Sequence, residues 1–158
     1  MTDFEKLFND NRELIFKYLM KMTQDTSLSD ELTQETFFRA YMNYASLRNK
    51  EKASVWLCQI AKNTYFAWYN EHKKKDTFDY LETESDGKSI EEAFIQKELS
   101  QKALVCLHEL EESYKEVFML SVFGGFSLKD ISLIFGKSES WARVTFYRAK
   151  QKLLEKMR

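Results

Sequence analysis

With 158 residues, no proline, four glycines and two cysteines, the chain suits one domain or two small ones, and a metal or disulfide framework is not expected. Hydrophobic residues at 44% and charged residues at 31% point to a mostly helical soluble protein, and no apolar run approaches the roughly 18 uninterrupted residues of a membrane span. The formal net charge of −1 excludes a uniformly basic nucleic-acid coat, so any affinity for nucleic acid has to come from local charge.

Residues 1–35 hold 4 basic and 8 acidic side chains and open without the charged-then-apolar layout of a secretory leader, so a cytoplasmic location is expected. Phe4, Leu7, Phe8, Ile15, Tyr18, Leu19 and Met22 recur at helical spacing and predict a first helix from about Asp3 to Thr23. Gln24 to Ser27 interrupts the pattern. A second helix is expected from Ser29, with that serine as cap and Asp30 and Glu31 in the first turn, facing the positive end of the helix dipole. Its inner face would be Leu32, Thr36, Phe37, Ala40, Tyr41 and Tyr44. Phe38 falls outside that stripe, beside Asp30, Glu31, Gln34 and Glu35. An aromatic among acids on the solvent side suits a protein-docking surface, and a partly covered helix shoulder would produce the same pattern.

Charge then reverses: residues 36–75 hold 8 basic against 2 acidic side chains. Arg48, Lys50 and Lys52 lie in a connecting loop, and a third helix follows with Ala53, Trp56, Leu57, Ile60, Ala61, Thr64 and Trp68 on its buried face. Lys62, Asn63, Tyr65, Phe66 and Tyr69 occupy its other faces, ahead of His72-Lys-Lys-Lys75. Rings interleaved with cations suit single-stranded nucleic acid, because bases stack on rings while ammonium groups follow phosphates. Rings in a core beside a solvated helix end would read the same way one residue at a time. Residues 76–98 hold 2 basic against 8 acidic side chains and include Gly87, and Asp76 to Lys88 lacks periodicity; this stretch is expected to be a flexible acidic linker.

Periodicity resumes near Ser89 and runs through Ala93, Phe94, Leu99, Ala103, Leu104, Leu107 and Leu110, with Cys106 inside the pattern. Like Cys58, it is expected to be a reduced core residue. Tyr114, Val117, Phe118 and Leu120 form a further helix that closes at Gly124-Gly125. Residues 127–158 hold 8 basic against 3 acidic side chains. Ser127 is a candidate cap, Leu128, Ile131, Ile134 and Phe135 repeat helically, Gly136 supplies a positive-φ stop, and Ser138 caps a basic last helix with Trp141, Val144, Thr145, Arg143 and Arg148. Two short helices around a glycine-bearing turn are the layout of a helix-turn-helix DNA reader, and equally of a plain helical hairpin. His72 and His108 are the only histidines. With no glycine-rich phosphate loop, Cys-x-x-Cys or His-Glu-x-x-His, no enzyme and no cofactor are expected. Carboxylate pairs such as Glu111-Glu112 read as solvated helix faces.

Several stretches together resemble one family. Asp30-Glu-Leu-Thr-Gln-Glu-Thr-Phe-Phe-Arg-Ala-Tyr41, Trp56-Leu-Cys-Gln-Ile-Ala-Lys-Asn63, Tyr114-Lys-Glu-Val-Phe118, Phe126-Ser-Leu-Lys-Asp-Ile131 and Arg143 through Leu153 are similar to bacterial RNA polymerase sigma factors of the extracytoplasmic-function group in the sigma-70 superfamily. The resemblance covers nearly the whole chain. It implies an all-α fold with a region 2-like domain over 1–75, a linker over 76–98 and a region 4-like helix-turn-helix domain over 99–158. It further implies docking of Asp30, Glu31, Gln34, Glu35 and Phe38 on the clamp helices of the β′ subunit of core RNA polymerase, with a further contact to the β flap. Arg48, Lys50, Lys52, Lys62 and Asn63 would hold the opened −10 promoter element. Lys137, Ser138, Glu139, Ser140, Trp141, Arg143, Arg148 and Lys152 would meet the −35 duplex in its major groove or along its phosphates. An anti-sigma protein is the further partner the family implies. Ala53, Ala67, Glu111 and Thr145 depart from the family's usual aromatic, aspartate, proline and arginine. A free-standing helix-turn-helix regulator is the alternative; it would explain 114–158 and leave the first half without a task.

Overall fold

The computed structural model describes residues 1–72 and 101–158, and every regular element among them is helical. The expected linker, the basic run 73–75 and the periodic stretch from Ser89 to Leu99 lie outside the described residues.

Helix α1 spans Asp3–Thr23, capped by Thr2, whose hydroxyl accepts the Glu5 N–H, with Asp3 and Glu5 in the electropositive first turn. Helix α2 spans Thr26–Met42 and starts three residues earlier than the sequence suggests, because Asp25 is the cap and accepts the Leu28 N–H at 3.0 Å. Ser29 is buried instead, its hydroxyl 2.6 Å from that of Thr23, so the two polar groups satisfy each other inside the α1–α2 corner. Two single 3-10 turns, Tyr44–Ser46 and Lys50–Lys52, lead into α3, Ala53–His72. The three helices pack on one another around Ile15, Tyr18, Leu19, Leu32, Phe37, Leu57, Cys58 and Ala61. Each large apolar side chain withdrawn from water contributes roughly 1.5–3 kcal/mol. Buried Thr33, Thr36 and Thr64 return their hydroxyls to the carbonyls of Ser29, Leu32 and Ile60, which satisfies these three donors inside that core.

In the second half, residues 101–108 are helical (α4), followed by α5, Glu112–Val122, α6, Leu128–Ile134, and α7, Glu139–Met157. Leu104, Leu107, Leu110, Val117, Met119, Leu120, Ile131, Ala142, Ala149 and Leu153 are buried, and α7 packs across both α5 and α6. The chain leaves α5 through Gly124, where an added Cβ would sit 2.7 Å from the Leu120 carbonyl and 2.8 Å from the Phe126 ring. Only glycine lets Phe126 fold back that closely. The turn between α6 and α7 closes with Gly136 at φ +65°, its N–H bonded to the Leu133 carbonyl and the Lys137 N–H bonded to the Ser132 carbonyl. This paired bonding ends α6 and aims α7 across it. Ser127 and Ser138 cap the two helices, as their local chemistry predicts.

The two halves meet where α3 packs against α5. Here two expectations are corrected. Lys62, expected to face an opened strand, is buried, and so are Tyr65 and Phe66, as the alternative of rings in a core has it, because α3 is covered on one side by α1 and α2 and on another by α4 and α5. Tyr41, read as part of the inner face of α2, is 63% exposed, since the stripe through Leu32, Thr36, Phe37 and Ala40 already fills the contact with α1 and α3.

Candidate nucleic-acid and docking surfaces

Three surfaces carry the expected site residues. On α2, Asp30, Glu31, Gln34, Glu35 and Phe38 are all exposed, and their spacing places them on one helical face, one turn above the next. Phe38 stands 61% open to solvent, followed by Tyr41 and by Met42 at 66%. Glu35 is held by the Arg39 guanidinium at 3.0 Å, a one-turn pair that fixes where its charge points. Acids at the start of the stripe and uncovered apolar groups at its end make a surface suited to a partner that is basic at one end and apolar at the other. Tyr41 and Met42 belong to it, yet the sequence reading missed them. The signal available was the one-turn continuation from Phe38, obscured because Tyr41 also fits the inner stripe.

The second surface surrounds the loop into α3. Arg48, Lys50, Lys52 and Asn63 are exposed. Lys50 reaches back to Asp3 at 2.9 Å; that hydrogen bond lowers the Asp3 carboxyl below its usual range and raises the Lys50 ammonium. Both partners are open to water, so the bond orients the loop without anchoring it. Beside it lies a cleft of about 450 Å³ lined by Lys6, Asp10, Asn11, Tyr44, Lys50 and Ala53 among others. Ala53 leaves this space open where a larger side chain would fill it. Asn11 braces the cleft floor, donating to the Leu7 carbonyl at 2.9 Å and accepting the Ser54 hydroxyl at 2.6 Å.

Lys62 does not join that group. It is 2% exposed, and its ammonium donates to Glu112 and Glu116 of α5. The hydrogen bond from Lys62 holds the Glu112 carboxyl low, whereas burial raises that of Glu116 against the pull of the same lysine. Lys115 adds a second cation 3.4 Å from Glu112. One turn along α3, the Phe66 ring stacks on His108 with centroids 4.0 Å apart and planes at 16°. Burial, then Lys115 and Lys62, push the His108 imidazole below its ordinary range, so it sits neutral on the ring. Cys58 underlies the cluster; burial, with the Glu116 charge, pushes its thiol up to about 12, which makes it inert near neutral pH. The reading of Glu111-Glu112 as a plain solvated face is corrected for Glu112, which remains largely exposed but spends one carboxylate oxygen on each lysine.

The third surface is the outer face of α7. Lys137, Ser138, Glu139, Ser140, Arg143, Arg148 and Lys152 are exposed. Arg143 lies 3.6 Å from Glu139 in an open one-turn pair, so a stronger acceptor can draw its guanidinium away. Trp141 is half-buried against Phe135, centroids 5.7 Å apart, and holds the turn as much as it faces outward. Thr145 is buried, so its position is directed into the domain and not toward a groove. Val144 and Tyr147 are exposed between the polar groups, and the Tyr147 hydroxyl accepts from Gln151 at 2.8 Å. Lys152 lies over the Tyr114 ring at 5.3 Å, at the edge of the same face. Among the described residues no three His, Cys, Asp or Glu side chains gather as metal ligands, and no helix is long and apolar enough to cross a membrane.

Residues 7–75 match the family described as Sigma-70 region 2, and residues 100–153 match Sigma-70, region 4. Over 140 residues the chain is 30% identical to the ECF RNA polymerase sigma factor SigM of Bacillus subtilis, covering 88% of this chain and 85% of that protein. Identity to the RNA polymerase sigma factor YlaC of the same organism is 26% over 157 residues, 97% of this chain and 91% of YlaC. Among solved structures, it is similar to the sigma factor RpoE of Bartonella quintana, solved with the anti-sigma factor NepR, at a TM-score of 0.54 over 99% of this chain and 98% of that one. At 18% identity that likeness is one of fold.

Proposed function

Because this chain belongs to the extracytoplasmic-function group of the sigma-70 family of RNA polymerase sigma factors, we infer that its three surfaces divide the work of promoter recognition among them. It is a promoter-specificity subunit, and the bond-making chemistry of transcription belongs to the polymerase it joins. Core RNA polymerase takes the α2 face: Asp30, Glu31, Gln34, Glu35 and Phe38, extended by Tyr41 and Met42, meet the clamp helices of β′, with a further contact to the β flap. Arg48, Lys50, Lys52 and Asn63 hold the −10 element as single strand. Capturing an unstacked base offsets the unpairing cost, a few kcal/mol in base-flipping systems, so opening needs no nucleotide hydrolysis. The outer face of α7 lies in the major groove of the −35 duplex, Ser140 and Arg143 toward the base edges, Lys137, Arg148 and Lys152 toward phosphates. Such a protein works in the cytoplasm, and an anti-sigma protein is the partner expected to hold it in check.

The observation that carries this reading is the uncovered acidic and aromatic stripe on α2, ahead of a complete helix-turn-helix in the same chain. A free-standing DNA-binding regulator has no use for that stripe. Fluorescence anisotropy with labelled promoter duplex tests the division of labour. The protein alone binds weakly, and stable binding appears on adding core polymerase. Tight sequence-specific binding by the isolated protein would contradict it.

A further inference from the structure

The start of α5 and the side of α7 that faces it enclose a notch of about 350 Å³, lined by Ser113, Tyr114, Ser140, Trp141, Thr145 and Arg148 among others. Trp141, Thr145 and Arg148 share one side of α7, at spacings of four and three residues. Thr145 is 6% exposed, and among the described residues its hydroxyl has no partner. Thr33, Thr36 and Thr64, buried on other helices, each return theirs to the carbonyl four residues back, and Thr145 does not. A buried hydroxyl left open is costly, so something from outside the fold is needed to satisfy it.

The other groups around the notch are donors too. Glu111, at the cap position of α5, makes no side-chain cap bond. The N–H groups of Ser113 and Tyr114 precede the first intrahelical bond, which runs from the Lys115 N–H to the Glu111 carbonyl. Free amides at the positive end of a helix dipole suit a phosphate. Arg148 is exposed and, among the described residues, forms no ion pair, whereas Arg143 is paired with Glu139. Glu112, at the same helix start, is engaged by Lys62 and Lys115. Hydroxyl, amides and guanidinium therefore surround the notch without an acceptor of their own.

We propose that this notch is a phosphate seat, in which the Thr145 hydroxyl, the Ser113 and Tyr114 amides and the Arg148 guanidinium donate to one backbone phosphate of the −35 duplex. The assignment of that phosphate to DNA rests on the promoter reading, whereas the anion site itself does not. Ser140, placed toward the base edges, lines the same notch, so the seat is continuous with the reading face. A strand lying along α7 brings a phosphate to it. Held there, the phosphate fixes the register of α7, and the base contacts of Ser140 and Arg143 depend on a contact that carries no sequence information itself.

A neutral methylphosphonate, exchanged for one phosphate of the −35 duplex at a time, tests the seat in binding to the holoenzyme. Among the sensitive positions, one should weaken binding roughly tenfold with the natural protein, and lose that effect in both Thr145→Val and Arg148→Gln. Thr145→Ser, which restores the hydroxyl, should restore the sensitivity. Arg148→Gln should also lower the slope of log affinity on log salt by about one. Thr145→Val should leave the melting temperature unchanged or raised, since it removes an unpartnered hydroxyl and keeps the shape of the side chain; a fall would give that hydroxyl a partner inside the fold and count against the seat. In the free full-length chain, inorganic phosphate should move the Ser113 and Tyr114 amide resonances saturably, and less in Arg148→Gln. A scan with the same pattern in Thr145→Val as in the natural protein would overturn the seat, as would amides that stay still in phosphate. Amides that respond while no position in the scan matches would mark an anion site the duplex does not use, and would overturn the DNA assignment. If the holoenzyme binds no promoter duplex, the promoter reading fails, and the amide titration still decides whether the notch holds an anion.

Discussion

The two faces assigned to DNA are presented in opposite ways. The outer face of α7 is open along its length, its Arg143 held only by an exposed glutamate. The corresponding face of α3 is shut against α5, its Lys62 enclosed and its Phe66 stacked. Both helices carry cations among aromatic residues, so the difference does not come from their own composition. It comes from what lies opposite. Among the described residues, the carboxylate of another element that pairs with α7 is Glu109, 3.7 Å from Lys156 near the helix end, whereas α5 brings two to Lys62 of α3. The same charges that make a surface fit for phosphate make it fit for any acidic helix that can reach it. Which of the two wins is decided by the rest of the fold.

The strongest way to break that contrast is Lys62→Met. Removing the cation strands Glu116 in a buried site, and breaking a buried pair costs roughly 3–5 kcal/mol. Docking of the halves should carry that loss, so calorimetry should resolve two transitions for the variant and one for the natural protein. Arg143→Ala is the matched change on the open face. Holoenzyme affinity for the −35 duplex should fall by about 1–3 kcal/mol, as for a lost base contact, while the melting temperature stays put. Phe38→Ala tests the other uncovered surface: titration with core polymerase should weaken by more than about 1 kcal/mol, the scale of an aromatic anchor, with stability changed by no more than about 0.5 kcal/mol, as for other surface sites.

The smallest effect is in pH. His108 has its folded pKa depressed below the ordinary 6.5 by burial and by Lys115 and Lys62, with Glu112 and Glu109 pulling the other way. A depressed histidine favours the docked form when neutral. Its contribution is present above the ordinary value and is lost as pH falls through the folded one. Glu116 works in the opposite sense, since its raised carboxyl favours the docked form once protonated, while Glu112, held low by Lys62, loses its contribution on protonation. Thermal melts as pH falls below the ordinary histidine value should lose the histidine's share of stability, and His108→Gln should remove that share of the pH response.

Local chemistry made much of the second half legible. Ser127, Gly136 and Ser138 do their work within three or four residues of where they stand, and each caps or turns the chain as the sequence suggests. The exposure of the acidic and aromatic stripe on α2 was legible for a similar reason, since Phe38 has no place in the inner 3.6-residue repeat. The start of α2 was not, because a serine beside two acids looks like a cap whether its hydroxyl faces a free N–H or, like that of Ser29, a neighbouring threonine. Least legible was the covered side of α3. Lys62 and Glu116 are separated by 54 residues, and neither position, taken with its own neighbours, differs from an ordinary solvated charge. Periodicity reports how many faces of a helix are apolar, and a face buried through ion pairs leaves no trace in it.

Abortive initiation with purified core polymerase on a promoter library tests the central claim most directly. The account predicts short RNA products that appear only when this protein is added, from a small set of templates sharing paired −35 and −10 elements. Transcription no higher than that of core polymerase alone, on every template, would contradict it.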